Sequence, residues 1–424
     1  MKYNLTNLTI KYKYSNYRFP ITVFIKITSR CMFKCQFCSQ GRAFNEEMPI
    51  KKLKKILNIL KKNGVLRIFY TGGEPFLYSE FLEIVKYGKK LGFCQLVITN
   101  GFLLDTQRAR QILKYIDCVS ISIHGTEKFH NKIVRNDNSY KKVISGIEMI
   151  KKDYSNIVMD ICFTGTQENA NEENIKDVAE LCKKYDLLLT ITRAYAIGNE
   201  KESSFSYIDP MIKAIDKFRK QGYKIEIGHC LVPCAMDYKN RYLTSPCNAG
   251  IDFCAIDING NVKICANSNQ VIGNILHNNF KSIWKKNNKI LNKHLKKLSI
   301  KCKNCNYFIK CVGGCKCETG NMVNGNSDLL YNKVIEERWK KICNHYIKSQ
   351  IASIKRIGFN KYLLIGKYNC TINIITFKEI RKIDFSKTLI ENHQQLGVNK
   401  ILLLQLLNDA FLKVVTNEKV HTKR

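Results

Sequence analysis

Short apolar runs alternate with amphipathic stretches through the first half of the chain. Six runs rich in Ile, Val and Leu have the length of strands buried on both faces. They are Ile21–Thr28, Leu66–Tyr70, Cys94–Thr99, Cys118–Ile123, Ile157–Phe163 and Leu187–Thr192. The stretches between them have helical periodicity, as in Ile50–Asn63, Ser79–Leu91, Thr106–Tyr115, Ser139–Lys152 and Asn171–Tyr185. Strands alternating with helices predict consecutive βαβ units, so we expect an α/β fold, either a doubly wound sheet or a partial β/α barrel. In either fold the chemistry lies at the carboxyl ends of the strands.

The pattern changes near Cys230. From there to Cys343 the chain is rich in Cys, Gly and Asn, with short polar segments and one Lys-rich helix, so bound ligands rather than a large apolar core must hold it together. The last residues differ again, with predicted strands at Tyr362–Ile365 and Thr371–Thr376 and an apolar helix around Val398–Val414. The expected divisions are an N-terminal extension (1–18), a core (19–229), a cysteine-rich α+β domain (230–348) and a short α+β tail of unknown role (349–424).

The composition is that of an ordinary globular protein, with 45% hydrophobic and 25% charged residues among 424. This balance excludes wholesale disorder. Lys and Arg number 70 against 35 Asp and Glu, which gives a net charge of +35. Such an excess would suit a nucleic acid, an anionic membrane surface or an acidic peptide. Because Lys and Asn are abundant everywhere in the chain, we attribute the charge to general composition and expect no nucleic-acid partner.

The chain contains 19 cysteines. Its N-terminus has no apolar signal-peptide core, and no apolar run approaches the ~18 residues of a membrane span. We therefore expect a cytoplasmic protein without a membrane span. In a reducing cytoplasm, many cysteines at short and regular spacings indicate metal binding rather than disulfides.

A loop of three cysteines, Cys31-x3-Cys35-x2-Cys38, directly follows the first predicted strand. Three thiolates this close together can wrap one face of a cubane iron–sulfur cluster and leave one iron without a protein ligand. An open iron lets a cluster bind a substrate or cofactor. Zinc is the weaker alternative, because structural zinc takes four closed ligands.

The second predicted strand ends in Thr71-Gly72-Gly73-Glu74-Pro75. The two glycines allow the backbone to approach a ligand closely, and Glu74 provides an acceptor for an ammonium group. This segment lies one strand away from the cysteine loop, so the two motifs are expected at the same edge of the sheet.

The cysteine loop and the Gly-Gly-Glu-Pro segment together resemble the radical S-adenosylmethionine (SAM) enzymes. The resemblance implies a partial (β/α)6 TIM-like barrel and a [4Fe–4S] cluster held by Cys31, Cys35 and Cys38. It also implies that one electron from the cluster cleaves SAM to methionine and a 5′-deoxyadenosyl radical, which abstracts a hydrogen from the substrate. The resemblance assigns no catalytic side chain.

The same resemblance implies where SAM is held. Phe37 packs near the adenine, and Gly72, Gly73 and Glu74 hold the methionine end. Ser122, in the stretch Ser-x-Ser-x-His-Gly over residues 120–125, lies near the ribose. Arg135 stands where many members keep an Arg for the SAM carboxylate, although its spacing from His130 is one residue longer than expected.

A second cysteine set lies downstream. It comprises Cys247, the stretch Gly260-x4-Cys265, the run Cys302-x2-Cys305-x5-Cys311-x3-Cys315, and Cys343. This pattern resembles the SPASM domain, an extension of radical SAM enzymes that mature peptides and proteins. The resemblance implies two auxiliary [4Fe–4S] clusters. The ligands implied for the first are Cys247, Cys254, Cys265 and Cys315, and those for the second are Cys302, Cys305, Cys311 and Cys343.

Three points in this set stay open. Cys254 either ligates the first auxiliary cluster or leaves an open site for substrate. The cysteines that border the motif are spare ligands, substrate-facing thiols or ordinary side chains, and they are Cys230, Cys234 and Cys317. One or two zinc sites are the alternative to clusters, since Cys302-x2-Cys305 alone has a zinc-knuckle spacing.

The leading functional interpretation is a maturase that crosslinks, epimerises or oxidises a ribosomal peptide or a protein side chain. Sulfatase maturation is disfavoured, because Ala266 stands where such maturases carry an Asp base. The 30 residues before Cys31 leave no room for a leader-binding module, so any leader recognition is expected from a separate protein, the SPASM region or the Ile351–Arg424 tail. An electron donor such as flavodoxin or ferredoxin is also expected.

Two alternatives remain. The first is a radical SAM/SPASM enzyme that acts on a small-molecule cofactor or antibiotic precursor. The second is an iron–sulfur electron carrier or a nucleic-acid-binding protein. The open-iron loop counts against the second alternative, because neither role needs a SAM pocket.

Overall fold

A computed structural model describes most of the first 300 residues and parts of the remainder. The described positions are 19–41, 44–195, 199, 207–228, 231, 236, 238–243, 247–298, 311, 313–317, 346–349, 353–358, 361–365, 370–373, 382–383, 391, 394–395 and 412–415. By its own contacts the chain divides into two compact units, one comprising residues 1–230 and 245–328 and the other residues 231–244 and 329–424.

The first unit is built on one ten-stranded sheet with the order β10-β9-β8-β1-β2-β3-β4-β5-β6-β7. All neighbours from β8 through β1 to β7 are parallel, and β9 and β10 are antiparallel. The strands are β1 (Thr22–Thr28), β2 (Arg67–Gly72), β3 (Cys94–Thr99), β4 (Cys118–Ser122), β5 (Val158–Gly165), β6 (Leu188–Arg193), β7 (Ile225–Ile227), β8 (Phe253–Ile256), β9 (Asn261–Lys263) and β10 (Val271–Asn274). The six predicted strands are confirmed. The short strand β7 was missed, because three residues give too little pattern.

Helices connect the parallel strands. They are α1 (Ile50–Lys62), α2 (Phe81–Lys90), α3 (Gln107–Leu113), α4 (Glu127–Val134), α5 (Ser139–Asp153), α6 (Glu172–Lys184) and α7 (Ile208–Lys220), and the Lys-rich α8 (Phe280–Lys297) follows β10. In α1 the buried residues Leu53, Ile56, Leu57 and Leu60 recur at helical spacing and form one apolar face. Helix α3 begins at Thr106, whose hydroxyl accepts a hydrogen bond from the Ala109 amide.

Strand β1 shows how the sheet separates core from site. Its side chains Val23, Ile25 and Ile27 are fully buried on one face. On the other face Phe24 and Lys26 line a cavity that is also lined by residues of β2 to β8. Because all these strands border one space, the sheet curves around it as a partial barrel, as the sequence predicts.

The start of the cysteine-rich region extends this sheet. Strand β8 pairs with β1 in parallel, with Thr22 opposite Phe253 and Val23 opposite Cys254. The expected division near residue 230 is therefore not a break in the sheet, since residues 245–328 belong to the same compact unit as the barrel.

The second unit contains two small antiparallel sheets. Strand β11 (Tyr346–Ser349) pairs with β15 (Leu412–Val415), and β12 (Ser353–Gly358), β13 (Lys361–Ile365) and β14 (Cys370–Asn373) form the other sheet. The predicted strand at Tyr362–Ile365 is confirmed, and the one at Thr371–Thr376 is confirmed as far as Asn373, since residues 374–376 lie outside the described residues. The predicted helix around Val398–Val414 is wrong at its end, where the β-branched Val414 and Val415 pair with β11, and residues 398–411 lie outside the described residues.

None of the described helices has the length and apolarity needed to cross a bilayer.

Candidate functional site

The loop Cys31–Cys38 leaves the carboxyl end of β1. Its three cysteine side chains are half-buried and line the same cavity. The Cys31 sulfur accepts a hydrogen bond from the Phe33 amide at 3.4 Å, and the Gln36 amide donates to the Ile133 carbonyl at the end of α4 at 3.3 Å. One short loop therefore presents three sulfurs to one space.

Burial strongly affects the thiols of this loop. It raises the pKa of Cys31 to about 11 and the pKa of Cys35 to about 12, and the neighbouring cysteines add to the rise at Cys35. As free thiols these groups are protonated at neutral pH. Binding of a metal cluster must therefore release protons.

The segment Gly72–Gly73 runs against the backbone that leads into the cysteine loop. The Gly73 amide donates to the Thr28 carbonyl at 2.8 Å. A Cβ at Gly72 would lie 2.1 Å from the Thr28 carbonyl oxygen, and a Cβ at Gly73 would lie 2.1 Å from the Arg30 carbonyl oxygen. Both glycines line the cavity, but the backbone approach that excludes a side chain is made to the protein's own chain.

The hydrogen-bond partners of the Glu74 carboxylate differ from the ammonium group that the sequence leads us to expect. It is fully buried and accepts hydrogen bonds from the Phe76 amide (3.1 Å), the Thr99 hydroxyl (2.7 Å) and the Asn100 amide (2.8 Å). Burial raises the pKa of Glu74 to about 7, and the three hydrogen bonds act in the opposite direction. Glu74 is not among the residues that line the cavity. Three donors of this chain already occupy the carboxylate. Through them it links the end of β2 to the end of β3.

The cavity has a volume of about 780 Å³ and extends from the cysteine loop to the cysteine-rich region. Phe37 and Ser122, two of the residues implied to hold SAM, lie on its wall. The Phe37 ring packs edge-on against His124, with ring centroids 4.7 Å apart. This volume lies within the usual range of ligand sites, roughly 300–1,000 Å³.

His124 and His130 form a buried pair behind Phe37. The Thr164 amide donates to His124 Nδ1 at 3.1 Å, and the His124 amide donates to His130 Nδ1 at 3.2 Å. Burial lowers the pKa of His130 to about 4 and lowers that of His124 well below its usual value. Both rings are neutral at pH 7, with the proton assigned to Nε2 by these hydrogen bonds. Both residues line the cavity, and their hydrogen bonds with backbone amides hold the loop after β4.

Arg135 lies at the C-terminal end of α4 in a left-handed conformation, with φ 58°. Its side chain is exposed and does not line the cavity. Its charge lowers the pKa of the Cys35 thiol, against the larger effect of burial. The structure thus places Arg135 beside the cysteine loop, and its implied contact with the SAM carboxylate stays a prediction.

A second group of cysteines borders the same cavity. Cys247 and Cys315 are buried together with Ala249. The half-buried Cys265 and Cys317 pack against them, and all four cysteines line the cavity. Cys254 is fully buried and does not line it.

The predicted second auxiliary site is largely outside the described residues. This applies to Cys302, Cys305 and Cys343. Cys311 is described, is half-buried and does not line the cavity.

Two asparagines that contact the cysteine loop were missed by sequence reasoning. The Asn100 side chain donates to the Met32 sulfur at 3.2 Å, and the Asn199 side chain donates to the Cys35 carbonyl at 2.9 Å. Asn100 directly follows β3, so its place at the carboxyl edge of the sheet was a usable signal. Asn199 lies 164 residues from its partner and gives no such signal.

Arg193, at the carboxyl end of β6, was also missed. It is buried, lines the cavity, and stacks its guanidinium 4.5 Å from the centre of the Tyr195 ring. Tyr195 packs in turn against the group that contains Cys247 and Cys315. Strand β6 thereby connects the barrel to the second cysteine group.

Both donor sets consist of thiols, which are the ligands that iron–sulfur clusters take. Among the described residues, no group of three or more His, Cys, Asp or Glu side chains forms a site for one metal ion. Three sulfurs on one loop and four in the second group suit a cluster with an open iron and a fully ligated cluster.

Comparisons with known proteins agree with these donor sets. The family model described as "Radical SAM superfamily" matches residues 25–182, and the SPASM model, "Iron-sulfur cluster-binding domain", matches residues 247–306. The first match contains the cysteine loop, and the second contains the part of the second cysteine group that lies before residue 307.

Related sequences cover most of the chain. An AdoMet-dependent heme synthase of Oleidesulfovibrio alaskensis is 24% identical over 69% of this chain and 81% of its own length. The mycofactocin maturase MftC of Mycobacterium tuberculosis is 23% identical over 70% of this chain and 78% of its own length.

A solved structure with a similar fold is that of Streptococcus suis SuiB bound to the precursor peptide SuiA. It superposes with a TM-score of 0.60 at 18% identity, covering 74% of this chain and 76% of that one. At this identity the similarity shows the fold alone.

Proposed function

Because the chain belongs to the radical SAM superfamily and carries an SPASM domain, we propose that it modifies a side chain of a ribosomal peptide or protein by hydrogen abstraction. The observation that carries this proposal is the single cavity lined by both cysteine groups. A substrate in that cavity lies between the SAM-binding loop and the auxiliary cluster region.

Different residues bind the clusters and SAM. Cys31, Cys35 and Cys38 hold the SAM-binding [4Fe–4S] cluster, and Phe37, Gly72, Gly73 and Ser122 contact SAM. Once bound, the cluster and SAM supply a 5′-deoxyadenosyl radical that takes a hydrogen atom from the substrate. Cys247, Cys265 and Cys315 hold one auxiliary cluster, and Cys302, Cys305, Cys311 and Cys343 hold the other.

Three aromatic side chains pack together on the cavity wall toward the amino ends of its strands. Phe24 stacks on Phe69 at 4.6 Å between ring centroids and meets Phe253 edge-on at 5.4 Å. All three line the cavity. They exclude water from a site where a reactive radical must meet only its substrate.

Around the SAM site, buried polar groups fix the backbone. Glu74 joins the ends of β2 and β3, and Asn100 contacts both Glu74 and the cysteine loop. Their role is to hold the cysteine loop in one geometry before SAM binds. The loop then loses no further conformational entropy at each turnover.

A peptide substrate is supported by the names of similar proteins, a mycofactocin maturase and SuiB with its precursor peptide. We further propose that a flavodoxin or ferredoxin supplies the electron and that a separate protein binds the leader of the precursor. The alternative substrate, a small cofactor or antibiotic precursor, is favoured by the cavity volume and by the similar heme synthase.

The first test concerns SAM. Anaerobically reconstituted protein with dithionite and SAM should release 5′-deoxyadenosine, measured by chromatography. Cys35→Ala should lower the rate at least about 100-fold, because it removes a cluster ligand. Cys94→Ala, an exposed cysteine on β3, is the matched control and should retain the rate. Equal rates in the two variants would remove the radical SAM assignment.

The second test separates the substrate classes. The protein is co-expressed with a candidate precursor peptide in deuterated water, and the peptide is analysed by mass spectrometry. Hydrogen loss indicates oxidation or a crosslink, and deuterium uptake at one residue indicates epimerisation. An unchanged peptide, together with active SAM cleavage, would favour the small-molecule alternative.

A further inference from the structure

The resemblance to SPASM proteins implies Cys254 as the fourth ligand of the first auxiliary cluster, but the register of β8 turns that side chain away from the cavity. Thr22 pairs with Phe253, and both line the cavity. Side chains paired in register point to the same face of a sheet, and successive residues alternate. Cys254, which pairs with Val23, therefore points to the opposite, helix-covered face, and both residues are fully buried.

Cys317 occupies the place that Cys254 leaves. It lines the cavity with Cys247, Cys265 and Cys315. Its thiol makes hydrogen-bonding contacts with the thiols of Cys265 and Cys315. In the described structure, these four cysteines come from three separate segments and meet at one point.

The residue between Cys315 and Cys317 supports an anionic group at this point. Lys316 is only 3% exposed, and its ammonium donates to the Cys247 carbonyl at 2.5 Å. Burial of a positive charge is costly unless negative charge lies nearby. Four thiolates around an iron–sulfur core supply such charge, and the hydrogen bond ties the Cys247 loop to the Cys315–Cys317 turn.

We propose that Cys317, and not Cys254, completes the ligand set of the first auxiliary [4Fe–4S] cluster together with Cys247, Cys265 and Cys315. The proposal rests on the proposed function, in that it assumes an auxiliary cluster here. It makes this cluster fully ligated by the protein, so that it carries electrons and does not bind substrate through iron.

The test measures iron without using enzyme activity. Cys31, Cys35 and Cys38 are all changed to Ala, which removes the SAM-binding cluster and leaves only auxiliary iron. In this triple-alanine background, Cys317→Ala is compared with Cys254→Ala after anaerobic reconstitution. Iron, zinc and acid-labile sulfide are measured per chain, and EPR spectra are recorded on oxidised and dithionite-reduced samples.

The background should hold about eight irons, from two clusters of four. Cys254→Ala should keep that iron and the background spectra. Cys317→Ala should lose up to about four irons, or retain a cluster that converts on oxidation to a [3Fe–4S] form with its own EPR signal. Cys317→Ser, which keeps the side-chain size, should shift the EPR signal of the reduced cluster. Far-UV circular dichroism of each variant checks that the barrel is folded.

Two contrary results have different meanings. Loss of iron in Cys254→Ala, with retention in both Cys317 variants, would overturn the ligand assignment and leave the proposed function intact. A background that binds zinc or no iron at all would overturn the auxiliary clusters of the proposed function, and the assignment of Cys317 with them.

Discussion

The two cysteine groups of this protein are assembled in opposite ways. Cys31, Cys35 and Cys38 lie on one loop. This loop follows β1, a strand with fully buried apolar side chains on one face. The group around Cys247 and Cys315 is drawn from separate segments, and its buried core consists mostly of the cysteines themselves. The first group is positioned by the barrel, whereas we expect the second to depend on the cluster that it binds.

The difference suits the number of ligands in each group. A cluster that is held by three sulfurs of one loop leaves one iron open for SAM. The fold, and not the cluster, must then keep those three sulfurs in place. Four sulfurs from distant segments close around a cluster and gain stability from it. The comparison therefore predicts that metal loss harms the two regions unequally.

The largest expected effect concerns the division of labour. Cys315→Ala should reduce modified substrate by at least about 100-fold but reduce 5′-deoxyadenosine release by less than about tenfold, because the proposed function places radical formation at the loop of Cys31, Cys35 and Cys38. Both products are measured in the same reaction by mass spectrometry, with Cys254→Ala as the buried control. Parallel loss of both products would show that the two groups act as one unit.

A smaller effect is expected when the iron is removed by a chelator. Backbone amides near the second group, such as those of Ser268 and Gly314, should exchange with deuterium at least about tenfold faster, since their hydrogen bonds lie beside the cysteines. The amides of Ile25 and Val97, in the barrel strands, should keep their protection. Hydrogen exchange with mass spectrometry measures both, and a uniform change across the barrel would contradict the comparison.

The smallest effect tests whether the first group is held by the fold. Glu74→Ala leaves three buried donors without their acceptor, and should lower the free energy of unfolding of the metal-free protein by about 2–4 kcal/mol. Glu83→Ala, at an exposed position of α2, should change it by less than about 0.5 kcal/mol. Urea unfolding measures both.

The effect of Glu74→Ala should also depend on pH. The folded pKa of Glu74, about 7, lies above its ordinary value of 4.5, so the unfolded chain loses this proton first as pH rises. The stabilising contribution of Glu74 is therefore complete below pH 4.5 and declines as pH rises to about 7. The difference between wild type and Glu74→Ala should be larger at pH 5 than at pH 8, and the opposite order would show that the ionised carboxylate is the favoured form.

Much of the barrel could be predicted from the sequence. The six strands stand out because strands covered on both faces need runs of Ile, Val and Leu, and such runs are local. The cysteine loop and the two glycines are local as well, and they follow strands whose carboxyl ends must meet. Residue types and short spacings therefore carried the fold class and the main chemistry.

Other features depended on which way a side chain faces. Cys254 and Phe253 are neighbours in sequence, yet only Phe253 reaches the cavity, because a strand alternates its faces. The Glu74 carboxylate turned inward to donors on β3, and Arg135 turned outward from the end of α4. A sequence motif specifies the residue type at a position, but it does not specify the direction in which that side chain points.

The sequence by itself determined the parallel α/β fold, the three-cysteine loop and the cysteine-rich extension, because each depends on residues close together in the chain. Only the tertiary structure decided that β8 joins the barrel sheet, that Asn199 contacts the cysteine loop and that Cys317 joins Cys265 and Cys315. The physical reason is that strand register and the closure of long loops are fixed by packing across the whole sheet, and no local spacing records them.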